Sequence, residues 1–265
     1  MEVLQFQCLR RAKIISGDDI MADLNYEVWK DKALADRFLN GVRGAMPLAE
    51  EQFEIVLKLI EMNKKPVRSF LDLGSGDGIM ASVVLSAYPE AKGVLLDISE
   101  YMIAAAREKL DEFKYNLGFT VFDYGDRNWT GMVKSGVPYD VIISGLSIHH
   151  QPDERKREIY KEVFGLLGKG GLFINLEHVA SPTKWVNSLF SETFIDSLYE
   201  MNRKKNPAIT REWVANEMYN RSDKESNILA PVGVQCDWLR NAGFEDVDCY
   251  FKIYEIAIFG GRKPR

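Results

Sequence analysis

The sequence predicts an α/β fold in which helices connect the strands of a mostly parallel, doubly wound sheet. Apolar runs typical of buried strands recur from residue 67 onward, and stretches with helical spacing of apolar residues separate them. Parallel neighbours in a sheet need a crossover connection, which a helix usually provides. The predicted strands are 68–73, 92–97, 118–123, 139–145 and 171–177. The predicted helices are 79–88, 99–113, 127–134 and 153–167.

Both ends of the chain depart from this alternation. Residues 1–62 are predicted to form a helical segment of their own, and residues 63–265 the main domain. Within that domain, apolar and aromatic residues at helical spacing over about 180–232 predict a helical cap above the strand ends. The β-rich runs 247–251 and 255–259 leave no room for a helix between them, so they predict an antiparallel hairpin at the sheet edge.

The composition is that of an ordinary globular protein. The chain has 265 residues, of which 46% are hydrophobic and 28% charged, and its formal net charge is −5. This acidic balance argues against a broad nucleic-acid-binding surface, which needs clustered Lys and Arg. Cys8, Cys236 and Cys249 are odd in number and far apart, so they predict neither a disulfide framework nor a zinc site. The absence of a signal sequence and of an apolar run of about 18 residues predicts a cytoplasmic protein without membrane contact.

A glycine-rich turn follows the first predicted strand. The segment Leu71–Gly78 reads LDLGSGDG, a helical stretch follows it, and the next strand ends at an acidic residue, Asp97. Gly74 and Gly76 can adopt positive φ and leave bare backbone for a ligand, while Gly78 lets the helix begin close to the sheet. A strand, a glycine turn, a helix and a strand ending in a carboxylate are the layout of a site for a nucleotide ribose.

Two classes of nucleotide cofactor compete for this turn. A dinucleotide places its pyrophosphate at the helix N-terminus, where the carboxylates of Asp72 and Asp77 would repel it. S-adenosylmethionine carries an ammonium and a sulfonium group and no phosphate, so the acidic turn favours it. The segment Asp72–Gly78 resembles motif I of the class I S-adenosylmethionine-dependent methyltransferases.

The resemblance to this family covers about residues 40–262 and implies a Rossmann-like, seven-stranded sheet with an antiparallel last strand. It also implies that Asp97 binds the ribose and that Asp123 accepts the adenine amino group, with a helix cap as the alternative role of Asp123. Arg43 is expected to pair with the methionine carboxylate of the cofactor, the alternative being a solvated surface arginine. The residues predicted to bind S-adenosylmethionine are Arg43, Asp72, Gly74, Ser75, Gly76, Asp97, Ile98, Met102, Asp123, Tyr124, Ser144 and Leu146.

All three histidines of the chain follow the fourth and fifth predicted strands. His149, His150 and His178 therefore come to the edge of the sheet where ligands bind. Imidazole titrates near neutral pH, so His149 or His178 is a candidate general base, although a histidine at such a turn often only bonds a backbone carbonyl. Methyl transfer depends mostly on orientation, so a base is needed only for an acceptor that holds a proton. No metal site is predicted.

Residues beyond the strand ends are expected to contact the acceptor: His150, Glu177, Trp185 and Arg221. The segment Leu146–His150 and the tail, residues 221–225 and then 239–244, are similar to the carboxy-S-adenosylmethionine synthases and their relatives. In those synthases an arginine of the tail binds the additional carboxylate, and the resemblance matches Arg221 to it. A carboxylate on the substrate would suit Arg221 as well.

The leading functional prediction is methyl transfer from S-adenosylmethionine to a small-molecule acceptor enclosed by the cap. An RNA-modifying enzyme of the carboxy-S-adenosylmethionine type is the first alternative, with Arg203, Lys204 and Lys205 as a local basic patch, although the net charge opposes it. A cofactor-binding protein without transferase activity and a nicotinamide-dependent oxidoreductase are further alternatives. The sequence leaves a homodimer open.

Overall fold

Seven strands form one mixed sheet within the part of the chain that the computed structural model describes, residues 46–220, 224 and 226–265. The strands are β1 Ser69–Leu73, β2 Lys92–Asp97, β3 Leu117–Val121, β4 Tyr139–Gly145, β5 Leu167–His178, β6 Glu245–Ile253 and β7 Ile256–Arg262. The helices are α1 Ala49–Met62, α2 Ile79–Ala87, α3 Glu100–Lys109, α4 Asp153–Leu166, α5 Lys184–Arg203, α6 Arg211–Trp213 and α7 Val232–Ala242.

The strand order β3-β2-β1-β4-β5-β7-β6 confirms the predicted doubly wound sheet. β1 pairs in parallel with both β2 and β4, so the direction in which strands are added reverses between β1 and β4. β7 pairs antiparallel with both β5 and β6, which confirms the predicted hairpin and the antiparallel last strand. The carboxyl ends of β1 and β4 therefore meet at the point where ligands bind in sheets of this topology.

Both faces of the sheet are covered. Ile142 belongs to one hydrophobic cluster, whereas its neighbours Val141 and Ile143 belong to the other, and all three side chains are buried. A strand buried on both faces explains why β4 reads as a continuous apolar run in the sequence.

The structure differs from the prediction at the end of β3 and in the helix that follows it. β3 ends at Val121, so Asp123 lies in the following loop and not at the end of the strand. The predicted helix 127–134 is a 3₁₀-helix, Trp129–Gly136. Gly131 and Gly136 lie within this short stretch, and glycine disfavours the α-helix over so few residues.

The segment after β5 is largely helical, as its apolar spacing predicts. α5 and α6 are followed by a π-helical turn, Val214–Tyr219. Ile195 and Leu198 of α5 pack with Val214 and Tyr219 in a hydrophobic cluster of their own. The division of the chain into residues 1–62 and a main domain stays a prediction, since of the first segment only part, including α1, lies among the described residues.

Gly78 is one position where a side chain is expected to destabilise the fold. Its φ is +76°, and a Cβ there would lie 2.7 Å from Leu110 Cδ1 and 3.2 Å from Leu95 Cδ2. Gly78→Ala should therefore lower the free energy of unfolding in urea by about 1–3 kcal/mol. Gly233→Ala is the matched control, because nothing lies within 4 Å of its Cβ position in α7. We expect that change to stabilise the protein slightly, by up to about 1 kcal/mol; equal losses in both variants would contradict the packing argument.

Candidate active site

The turn between β1 and α2 is fixed to the end of β2. Gly74 N and Ser75 N both donate to the Leu96 carbonyl, at 2.8 and 3.0 Å. Gly74 and Gly76 have φ of 68° and 53°, as the glycine pattern predicts. None of the described residues lies within 4 Å of the position that a Cβ on Gly76 would occupy, so among them the turn has open space in front of its backbone.

Asp97 is held in place by the backbone around it. Its Oδ2 accepts a hydrogen bond from Gly76 N at 2.8 Å, and its Oδ1 accepts one from Ser99 N at 2.9 Å. Burial raises the pKa of Asp97, while the backbone N–H groups of Ser99, Gly76 and Ile98 act in the opposite direction. Each carboxylate oxygen has two lone pairs, so a bond to each from the backbone leaves capacity for ligand hydroxyls.

The other two acids of the turn have internal roles that the sequence did not reveal. Asp72 is fully buried, and its Oδ2 accepts a hydrogen bond from Ala81 N in the first turn of α2 at 2.9 Å. Asp77 pairs with Lys109 of α3 at 2.8 Å. The negative charge at this turn therefore stabilises the helix terminus and an ion pair, which departs from the expectation that both acids serve a cationic ligand.

Ser75, Tyr124 and Ser147 line the other side of the turn. The Ser75 hydroxyl is buried and has no hydrogen-bond partner among the described residues, so it is available to a ligand. The Tyr124 and Ser147 hydroxyls are 2.7 Å apart. A Cβ on Gly74 would lie only 1.8 Å from Ser147 Oγ, so the loop after β4 lies directly against the glycine turn.

The remaining predicted cofactor residues that the structure describes lie at the same edge of the sheet. Asp123 accepts a hydrogen bond from Gly125 N at 2.6 Å, which is a local turn. Ser144 donates to the Leu73 carbonyl at 2.8 Å, and Leu146 N donates to the Leu176 carbonyl at 2.7 Å. The other two are Ile98, which is half-buried, and Met102, which is buried. Arg43, like the predicted substrate residue Arg221, lies outside the described residues.

His149 and Glu177 form a buried pair across the ends of β4 and β5. His149 Nδ1 lies 2.5 Å from Glu177 Oε1, and both side chains are almost inaccessible to solvent. Glu177 also accepts hydrogen bonds from the backbone N–H groups of His149 and His178, at 3.0 and 2.8 Å. These donors favour the carboxylate form of Glu177. In that form His149 carries its proton on Nδ1, and Nε2 is left as an acceptor.

Burial shifts the pKa of each member of this pair in the direction that favours its neutral form. It holds the pKa of His149 well below its usual value, and the charges of His178 and Lys156 add to that effect. A side-chain hydrogen bond with Asn227 acts in the opposite direction and favours the protonated imidazole. Burial raises the pKa of Glu177 to about 7. At neutral pH His149 is therefore uncharged and able to accept a proton.

The other two histidines are held by different partners. His178 Nε2 lies 2.8 Å from Glu255, whose other oxygen accepts hydrogen bonds from Ser181 and Asn187. His150 Nδ1 lies 3.2 Å from the Ser226 hydroxyl, and the rings of His149 and His178 are 5.6 Å apart. Among the described residues, no group of three or more His, Cys, Asp or Glu side chains could hold a metal ion.

The structure places two predicted substrate residues differently from the expectation. Glu177 is buried against His149 and is not exposed to an acceptor, whereas Trp185 is 70% exposed at the start of α5. Sequence reasoning missed Glu255 and Asn227, which come from segments far from the histidines along the chain. The signal that could have found Glu255 was its position beside the fifth strand in the predicted hairpin.

Comparison with known proteins shows which proteins this chain is similar to. A family model described as a methyltransferase domain matches residues 70–171. The carboxy-S-adenosyl-L-methionine synthase of Nautilia profundicola is 19% identical over 231 residues, 86% of this chain and 92% of that protein. The malonyl-[acyl-carrier protein] O-methyltransferase 1 of Ilyobacter polytropus is 30% identical over 115 residues, 43% of this chain and 40% of that protein. The chain therefore carries a methyltransferase domain and is similar to S-adenosylmethionine-dependent methyltransferases.

Solved structures agree with this methyltransferase fold. The crystal structure of human N-acetylserotonin methyltransferase in complex with S-adenosylmethionine superposes with a TM-score of 0.58 at 15% identity. The methyltransferase described here aligns over 92% of its own length but spans 59% of that chain.

The residues present fit S-adenosylmethionine, the ligand in the structure of human N-acetylserotonin methyltransferase. The open space before Gly76 and the unpartnered Ser75 hydroxyl both lie on the turn beside Asp97. No helix among the described residues has both the length and the apolar character needed to cross a membrane.

Proposed function

We propose that the methyltransferase methylates a small-molecule acceptor whose attacking atom carries a proton, and that His149 is the general base. The observation that carries this proposal is the His149–Glu177 pair, with Nδ1 and Oε1 2.5 Å apart. His149 lies two residues after Ser147, which packs against Gly74 of the glycine turn. A base is therefore next to the loop that holds the cofactor.

One set of residues binds the cofactor, and the His149–Glu177 pair handles the proton of the acceptor. S-adenosylmethionine supplies an activated methyl group on a sulfonium, which is already a good leaving group. Asp97, Asp123 and Ser75 bind the nucleoside and fix its orientation, which provides most of the rate. His149 Nε2 accepts the proton of the acceptor hydroxyl, amine or thiol. Glu177 holds the imidazole in the required tautomer and stabilises its positive charge, as the carboxylate does in other His–carboxylate pairs.

The segment 180–232 is proposed to enclose the acceptor, with His150 among its contacts. Phe190 of α5 packs on His178, with ring centroids 5.5 Å apart, so α5 lies against the histidines.

Arg43 and Arg221 stay candidates for binding a carboxylate of the cofactor or acceptor. A location in the cytoplasm and a homodimer also stay predictions from the sequence.

A second candidate function is the formation of a carboxylated S-adenosylmethionine. The match to the synthase of Nautilia profundicola favours it, because that match extends over 92% of the synthase. The match to the O-methyltransferase of Ilyobacter polytropus is stronger in identity but covers a smaller part of either protein. The two functions differ in the nucleoside that they release, so product analysis separates them.

Mass spectrometry of the nucleoside product tests the proposal. The methyltransferase is incubated with S-adenosylmethionine carrying an isotopically labelled methyl group and with pooled hydroxyl, amine and thiol acceptors. We expect S-adenosylhomocysteine and a labelled acceptor, and neither should form above background with His149→Gln. A parallel incubation replaces the acceptors with a pool of carboxylic acids as carboxyl donors. A carboxylated S-adenosylmethionine formed there, with no S-adenosylhomocysteine formed from the acceptor pool, would support the second function and overturn the first.

A further inference from the structure

Lys156 is a lysine whose side chain is completely buried close to the histidines. It lies on α4, where its Nζ is 2.8 Å from Asp153 Oδ1 and also donates to the Ile228 carbonyl. Burying an ammonium group is costly unless it is paired and hydrogen-bonded, and Lys is rarely found in this state. The proposed reaction uses none of these contacts, so the position of this charge needs a separate explanation.

The partner of Lys156 connects it directly to His149. Ile228 N donates to the His149 carbonyl at 2.9 Å, while the Ile228 carbonyl accepts from Lys156. Two residues earlier, Ser226 lies within 3.2 Å of His150 Nδ1. Two residues later, the Ala230 carbonyl accepts from Ala180 N, just after β5. Residues 226–230, which we call the strap, are therefore bound to the loop that carries both histidines.

Charged and titratable groups face His149 from several elements. His150 is on the same turn, with ring centroids 4.0 Å apart, and Glu177 and His178 are at the end of β5. Tyr124 after β3 and Tyr160 of α4 interact electrostatically with Glu177. The ammonium group of Lys156 is fully shielded from solvent. Water and dissolved ions therefore screen its electric field only weakly.

We infer that Lys156 is a positioning residue for His149: it fixes the strap against the histidine loop through Ile228, and its buried charge keeps the imidazole in its uncharged form. This inference rests on the proposed role of His149 as the base. A second positive charge beside a buried ammonium is unfavourable, so His149 Nε2 stays unprotonated until the acceptor supplies a proton. Burial, His178 and Lys156 all act in this direction on the pKa of His149.

Nuclear magnetic resonance titration of the His149 imidazole in the full chain, with S-adenosylhomocysteine added, tests the inference without an acceptor. Lys156→Met should move the midpoint of the His149 titration to higher pH, because it removes a positive charge. Asp153→Asn should move it to lower pH, because it leaves the Lys156 charge without its counterion. Lys161→Met, on the exposed side of the same helix, should leave the midpoint unchanged.

The expected shifts of the His149 midpoint have opposite signs in Lys156→Met and Asp153→Asn. This difference distinguishes an electrostatic role of Lys156 from a purely structural one. Loosening of the strap would expose His149 in both variants and move both midpoints upward. An unchanged midpoint in Lys156→Met, or upward shifts in both variants, would overturn the inference. If Lys156→Met does not fold, the downward shift in Asp153→Asn still decides it. Loss of the proposed function would appear separately, as full methyl transfer in His149→Gln.

Discussion

His149→Gln should lower kcat for methyl transfer by roughly 10²–10⁴-fold at neutral pH, the usual contribution of a general base. Glutamine offers no group that can accept a proton from the acceptor, although it approximates the size of the imidazole. Glu177→Gln should cause a loss of similar size, because an amide in place of the carboxylate can donate to Nδ1 and enforce the wrong tautomer. Both variants are measured by steady-state release of S-adenosylhomocysteine.

The controls for these variants distinguish chemistry from folding. Affinity for S-adenosylhomocysteine should stay close to that of the parent, since neither side chain is placed on the nucleoside. His178→Gln should lose less activity, because His178 is held by Glu255 and acts on His149 mainly through its charge. A kcat in His149→Gln within about threefold of the parent would remove His149 from the mechanism.

The pH dependence of the parent follows from the same pair. The proton must leave Glu177 before its carboxylate can accept from His149 Nδ1 and free Nε2 for the acceptor. Because burial raises the pKa of Glu177 to about 7, kcat should rise with increasing pH through this region and fall on acidification. The profile is a property of the coupled pair and not of one residue. A kcat that declines as the pH rises from 6 to about 8 would contradict this assignment.

Asp97→Ala should weaken binding of S-adenosylmethionine by about 1–3 kcal/mol, the cost of leaving buried ligand hydroxyls unpaired. This corresponds to about a 5- to 150-fold rise in Kd, measured by calorimetry. The variant also removes the acceptors of Gly76 N and Ser99 N, so the turn that faces the ligand loses part of its support.

A matched control for Asp97→Ala is Asp111→Ala. Asp111 is an exposed acid that pairs with Lys114 at 3.1 Å. Its removal changes the net charge by the same amount and should leave the Kd unchanged. Circular dichroism shows whether the Asp97 variant is folded; a folded variant with the affinity of the parent would exclude Asp97 from the ribose site.

Sequence patterns predicted the sheet because they reflect local physics. The alternation of buried strands and helices, the glycine turn and the hairpin all depend on residues close together in the chain. The end of β3 and the 3₁₀-helix Trp129–Gly136 were harder to predict, because short elements are decided by tertiary packing. The approximate location of His149 and His178 was predictable from the rule that ligands bind at strand ends.

The partners within the site depend on contacts between distant segments and could not be derived in this way. Glu177 was predicted to meet the acceptor, yet the parallel pairing of β4 and β5 places it against His149. Lys156 lies in the charged helix α4, and its contact with the Ile228 carbonyl comes from a segment 72 residues further along the chain. The ion pair of Asp77 with Lys109 likewise spans 32 residues of sequence.

Calorimetric titration of the parent chain with S-adenosylhomocysteine and, separately, with NAD tests the central claim most directly. The glycine turn, the open space at Gly76 and the fixed Asp97 carboxylate should bind S-adenosylhomocysteine with a Kd on the micromolar scale, about −8 kcal/mol. NAD should give no binding heat, because the Asp72 carboxylate already accepts from Ala81 N at the start of α2, where a pyrophosphate would bind. Binding of NAD without binding of S-adenosylhomocysteine would contradict the account.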